Sequence, residues 1–147
     1  MASPVELGDE AAIRLVIDRW AQAFHDKDVE AVVALHDPDT VSFDIVPPLR
    51  YVGMSEYRKP WDETFANFDG PIEMEIRDLV ITVGGDVAFS YSLNRMVGVL
   101  NDGTELDYWM RWTVCYRRID GRWLIVHDHS SAPTDFATGG AVLDLQP

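Results

Sequence analysis

A carboxylate, a guanidinium and two imidazoles in this chain have the types and spacing to carry acid–base chemistry. Asp44 closes the alternating stretch Val41-Ser42-Phe43-Asp44-Ile45 just before Pro47-Pro48 ends it. A strand halted by a prolyl pair holds its last side chains in a definite direction. Arg111 carries a planar fork that can bind a carboxylate, enolate or phenolate oxygen; the competing reading is an internal ion pair with Asp44 or Asp128. His127 and His129 flank Asp128 on one stretch, so strand alternation gives the histidines one face and the aspartate the other. The residues alone leave open which set points inward. An inward imidazole could act as a general acid or base near neutrality, or serve as a hydrogen-bonded strut. The His-x-His pair invites a metal, with Asp44 or His36 as further ligands, but no Cys or Glu-x-x-His spacing supports one. No metal and no cofactor are therefore expected. The single cysteine, Cys115, lies mid-strand without an adjacent base and reads as an inert thiol.

The elements that must position these groups are legible around the hairpin Trp109 to Pro133. Its two strands meet at Asp120-Gly121, a pair suited to the primed turn that matches strand twist. Alternation puts Trp109, Arg111, Thr113 and Cys115 on one face of the first strand and Met110, Trp112, Val114 and Tyr116 on the other. Upstream, Ile13, Val16, Ile17, Trp20, Ala23 and Phe24 recur at helical spacing, with Asp9 or a neighbour as cap. Asp28 is placed to cap a short second helix, Val29 to Leu35, which Asp37-Pro38-Asp39 stops. Tyr57, Trp61, Phe65 and Phe68 predict a third helix from Ser55 to Phe68, with Pro60 in its early turns or at a kink. Strands follow from Ile72 to Val83 and from Asp86 to Leu100. Helices first and long antiparallel strands afterwards predict an α+β fold in one domain spanning 1–147. The stretch after Pro133 is weakly patterned.

The totals narrow the function. Twelve basic residues against 25 acidic ones give a net charge of −13, which repels a phosphate backbone and argues against nucleic acid or an anionic membrane as partner. No apolar run approaches bilayer length and no leader-like segment opens the chain, so a cytoplasmic protein is expected. Five Trp, five Tyr and six Phe supply more aromatic surface than a small core requires. An aromatic-walled pocket for a flat or phenolic ligand competes with the simpler reading of Trp20, Tyr57, Trp61, Phe65 and Trp109 as core.

The segments WAQAFHDKDVEAVVALHDPDTVSFD, FDIVPPLRYVG, RWT and GRWLIVHDHSSAP resemble the ketosteroid-isomerase and nuclear-transport-factor superfamily, and within it most closely the SnoaL-like proteins, relatives of polyketide cyclases. The resemblance covers nearly the whole chain. It implies a cone of N-terminal helices packed on a curved, mostly antiparallel sheet, with a cavity between the layers. By position, Asp44 falls where ketosteroid isomerases keep the carboxylate that moves a proton between substrate carbons. Trp20 stands where those enzymes place a tyrosine that donates to the oxyanion, and Cys115 near their protonated aspartic acid, so both oxyanion donors are missing. The same comparison turns the Trp109, Arg111, Thr113, Cys115 face toward the pocket, with Arg111 replacing the lost donors.

Together these readings predict a cofactor-independent proton-transfer enzyme of isomerase, cyclase or dehydratase type acting on a small apolar or aromatic carbonyl compound. Asp44 would be the base, Arg111 the anion stabiliser, and His127 or His129 an auxiliary acid. Trp20, Tyr57, Trp61, Trp109, Thr113 and Cys115 would line the pocket. A homodimer is expected through the sheet face carrying Met110, Trp112, Val114 and Tyr116. The alternative is a non-catalytic ligand-binding or oligomerisation module of the same fold.

Overall fold

The structure is a computed structural model that describes residues 8–147. Helix α1 (Asp9–Asp26) buries the stripe Ile13, Val16, Ile17, Trp20, Ala23 and Phe24, the residues whose spacing predicts it. Its N-cap is Gly8, without a side-chain bond. Asp9, the first helical residue, instead accepts from Arg118 Nη1 at 2.6 Å and from Trp123 Nε1 at 3.3 Å, which ties the helix start to the sheet. Helix α2 (Val29–Ala34) is capped as expected: the Asp28 carboxylate accepts from the Ala31 N–H at 3.1 Å. Helix α3 (Met54–Ala66) starts slightly earlier than its spacing suggests and holds Pro60 in its second turn. Proline has no N–H there for the Glu56 carbonyl.

Strand β1 (His36–Phe43) begins before the Asp37-Pro38-Asp39 break, which lies in an irregularity of its ladder instead of ending the segment in a loop. The short β2 (Tyr51–Val52) pairs antiparallel with it. Strands β3 (Phe68–Gly84), β4 (Val87–Leu100), β5 (Glu105–Ile119) and β6 (Arg122–Ser131) form the meander, and the sheet order is β2-β1-β6-β5-β4-β3. Only β1 with β6 pairs parallel. The β5–β6 turn has Asp120 and Gly121 both at positive φ, 50° and 77°, as a primed turn requires. A small hairpin, β7 (Thr134–Asp135) with β8 (Gly140–Ala141), follows. No helix among the described residues is long and apolar enough to cross a membrane.

The helices cover one face of the sheet, and the core lies between. From β4 come Ala88 and Met96, from β5 Met110, Trp112, Val114 and Tyr116, and from β6 Trp123 and Ile125. Trp20 of α1 stacks on Trp112 of β5 at 4.0 Å between ring centroids, 17° from parallel, and Phe24, Trp61 and Phe65 meet edge to face around it. The row Met110, Trp112, Val114, Tyr116 is thus the inner face of β5; it is core and cannot be the dimer surface expected from the sequence. The opposite face of the sheet exposes Val87, Phe89 and Tyr91, each about half accessible.

Candidate active site

A cavity of about 240 Å³ opens between α1, α3 and the concave side of the sheet. Four sequence-predicted residues line it, Trp20, Asp44, Tyr57 and Trp61, together with Phe24, Phe68, Tyr108 and three methionines, Met74, Met96 and Met110. The rings pack tightly enough to fix one another: Tyr57 and Trp61 stand 5.7 Å apart between centroids, Trp20 and Trp61 6.4 Å. Two carboxyl groups reach this apolar wall, Asp44 and Asp128. Among the described residues lining it, none is Lys, Arg or His.

Asp44 follows directly on the end of β1. Its Oδ1 accepts the N–H of Ile45 at 2.7 Å. Burial raises its proton affinity above the ordinary carboxylate range, the Ile45 bond partly offsets this, and the negative charge of Asp128 adds to the rise. Asp128 comes from β6, directly across the parallel ladder from Ser42. It is 2% exposed, accepts from Trp112 Nε1 at 3.3 Å through Oδ2, and leaves Oδ1 without a partner.

Around the two acids the walls offer only uncharged donors. The acidity of Tyr57 is strongly suppressed, first by burial and then by Asp128 and Asp44, so its hydroxyl keeps its proton. Tyr108 is pushed up to about 12, by burial and then Asp44. The indole N–H groups of Trp20 and Trp61 are buried and unpartnered. Behind Tyr57 lies His36, 4% exposed, whose Nδ1 donates to the Val32 carbonyl at 2.7 Å. Burial lowers its proton affinity despite the attraction of Asp128. The ring is therefore neutral, with Nε2 a bare acceptor.

The remaining expectations for the site are corrected by which way β5 and β6 face. Arg111 is exposed on the outer side of the sheet, its Nε donating to Ser131 Oγ at 3.1 Å, and it borders a shallow outer hollow with Asp78 and Tyr91. It does not converge with Asp44 and cannot hold charge that develops in the cavity. Trp109, Thr113 and Cys115 share that outer face; Arg77 lies over the Trp109 ring at 5.7 Å, and burial raises the pKa of the Cys115 thiol. His127 turns its Nδ1 to the Val41 carbonyl at 2.7 Å with Phe43 against its ring, and His129 is exposed beside the same Phe43. Neither enters the cavity. No group of three or more His, Cys, Asp or Glu among the described residues is placed to hold a metal ion.

A β-bulge explains the reversal. Trp123 and Ile125 face the core, and uninterrupted alternation would carry His127 and His129 in with them. Between the pairs Tyr116↔Ile125 and Cys115↔His127 the ladder slips by one residue at Val126. One extra residue flips the phase, so Asp128 and Ser130 point in and the histidines out.

The loop after β1, residues 44–50, forms the mouth. Its outer side, with Arg50, Leu49 and His129, makes a second hollow that shares Asp44, Ile45 and Val46 with the cavity.

A helix-covered, curved sheet enclosing a carboxyl-bearing pocket defines an α+β cone of the nuclear-transport-factor-like class. Residues 13–135 match the model of the SnoaL-like domain family, and the chain belongs to that family. A nuclear-transport-factor-2-like protein of unknown function from Pseudomonas putida is 35% identical, with 97% of this chain and all of that chain covered at a TM-score of 0.85. A proposed dehydratase of the same superfamily from Streptomyces avermitilis shares the fold at 19% identity, with 84% and 95% covered and a TM-score of 0.74. A ketosteroid isomerase-like protein from Erwinia carotovora does so at 22% identity, with 85% and 97% covered and a TM-score of 0.72. The comparison with proteins of curated function gave no match.

Proposed function

We propose that this SnoaL-like protein is a cofactor-independent proton-transfer enzyme, of isomerase, cyclase or dehydratase type, acting on a small ring-containing carbonyl compound. The observation that carries the reading is a carboxyl group, Asp44, whose proton affinity is raised at the wall of an aromatic cavity. In that role Asp44 takes a proton from the carbon next to the carbonyl. The C–H pair moves into an enolate, and the proton returns to another atom of the ligand. With Arg111 outside, the enolate oxygen must be met by uncharged donors; Tyr57 and Tyr108, whose hydroxyls stay protonated, fit the task. Low polarity then favours transfer, because little water competes for either partner.

The test is substrate-independent. Cyclic ketones in deuterated buffer should exchange their acidic C–H protons faster with the protein than without it, and Asp44→Asn should abolish the difference. Full exchange activity in Asp44→Asn would sink the assignment.

The second reading, a non-catalytic ligand-binding or assembly module, draws support from the exposed apolar side chains Val87, Phe89 and Tyr91 on the outer sheet face. Under either reading we expect that face to pair two copies as a homodimer. A lone free thiol, Cys115, suits a cytoplasmic setting.

A further inference from the structure

We propose that the cavity selects ring ketones that carry no negative charge and that present an O–H or N–H donor to Asp128. This rests on the cavity being the ligand site, as argued above, but not on Asp44 being a base. Three observations converge on it.

The first is charge. Two carboxyl groups line the cavity, and no basic side chain among the described residues lies there to compensate an anion. Arg50 lies on the outer side of the mouth loop and Arg111 on the far side of the sheet. Bringing a full carboxylate or phosphate into such a site would cost its desolvation and set it against two carboxyl groups, with only uncharged donors to offset the loss.

The second is the unfinished hydrogen bonding of the wall. Asp128 Oδ1 is a buried acceptor with no donor, while Oδ2 is held by Trp112. A buried carboxyl oxygen left alone is costly, and a ligand O–H or N–H that completes it recovers that cost. Two donors in the same wall, the indole N–H groups of Trp20 and Trp61, are also without partners and suit a ligand oxygen. Acceptor and donors together describe a ligand with both a donor group and an oxygen.

The third is shape and surface. About 240 Å³ walled by Trp20, Trp61, Tyr57 and Phe68 suits a flat molecule of one or two rings.

Four probes of similar size separate these terms: indanone, hydroxyindanone, indanone carboxamide and indanone carboxylate. Binding is read from the indole N–H signals of nitrogen-15-labelled protein, with Trp20 and Trp61 assigned by Trp→Phe variants. Hydroxyindanone is expected to bind about tenfold more tightly than indanone. The carboxamide should exceed the isosteric carboxylate by at least about tenfold. Asp128→Asn should reduce the hydroxyl advantage to about threefold or less. If that variant does not fold, the ranking in the wild-type protein decides alone. Equal binding of carboxylate and carboxamide, a hydroxyl group that adds nothing, a hydroxyl advantage that survives intact in Asp128→Asn, or no shift of either indole by any probe would each overturn the proposal. Should Asp44→Asn keep full exchange activity while the ranking holds, the catalytic reading fails and the selectivity stands; the reverse pattern removes the selectivity alone.

Discussion

Replacing Asp44 by Asn should make the protein more stable at neutral and alkaline pH, with the gain disappearing in acid. Burial first, and the charge of Asp128 second, raise the proton affinity of Asp44 in the folded chain above its ordinary value of 3.8. Between that value and the raised one, the folded state holds more protons than the unfolded state, so stability falls as pH climbs through the window. Above it the full cost is present; below 3.8 both states are protonated and the cost is gone. Each pH unit of rise corresponds to about 1.4 kcal/mol. The Ile45 N–H bond at 2.7 Å offsets part of the rise, and an Asn side-chain oxygen can keep that bond. The expected sign is a gain at neutral pH; at the size usual for a single substitution, about 1 kcal/mol, it reads as roughly 3 °C in melting temperature for a chain of this size. Urea denaturation of both proteins across a pH series measures it directly. An Asn variant no more stable than wild type at neutral pH, or a gain that persists unchanged below 3.8, would refute the claim that Asp44 is held in a desolvated, like-charged setting. A carboxyl group held at such a cost fits the acid–base role proposed for Asp44.

Other expectations follow from the same geometry. If Asp44 works as a base, exchange activity rises with pH through its raised pKa, and Asp128→Asn moves that limb to lower pH by removing a like charge; a limb that stays in place contradicts their coupling. Trp112→Phe strips Asp128 of its donor at 3.3 Å and should cost about 1–3 kcal/mol in chemical denaturation. Gly98→Ala would place a methyl group 2.7 Å from the Phe68 ring, pushing that ring toward the cavity; a loss of about 1–3 kcal/mol in denaturation and weaker probe binding are expected. Arg111→Ala should leave exchange activity within about twofold, since the side chain bonds Ser131 on the outer face. Phe89→Glu with Tyr91→Glu should convert the expected dimer to a monomer in sedimentation measurements.

The helices and the meander were legible because each rests on local periodicity. The stripe from Ile13 to Phe24, the Asp28 cap and the Asp120-Gly121 turn are statements about neighbours in sequence, and the chain obeys them. Asp44 was legible as the last side chain of a strand stopped by prolines, and Trp20, Tyr57 and Trp61 as aromatic residues on inward helix faces. The facing of the hairpin was legible only in part. Strand alternation divides β5 correctly into two sets, and the family resemblance points the Arg111 set inward against the local signal; the wholly apolar set, Met110, Trp112, Val114 and Tyr116, is the one that meets the helices, with Trp112 stacked on Trp20 at 4.0 Å. That choice expelled Arg111 together with Trp109, Thr113 and Cys115.

The last strand shows why a single residue can decide the character of a site. An intact ladder through Val126 would continue the Trp123, Ile125 phase and turn His127 and His129 toward the cavity that Asp44 lines. The slip at Val126 gives it Asp128 instead, so the pocket confronts its ligand with two acids and neutral donors only. Like-charge repulsion between those acids raises the proton affinity of Asp44, whereas an imidazolium in place of Asp128 would lower it. The bulge thus adds to the proton affinity that burial already raises in Asp44, and on the proposed reading it also bears on the ligand charge the cavity accepts. Deleting Val126 should restore the alternation and, if the strand re-registers, exchange one property for the other: His127 would become protected from solvent, Asp128 would become exposed, and the preference against a carboxylate probe would shrink.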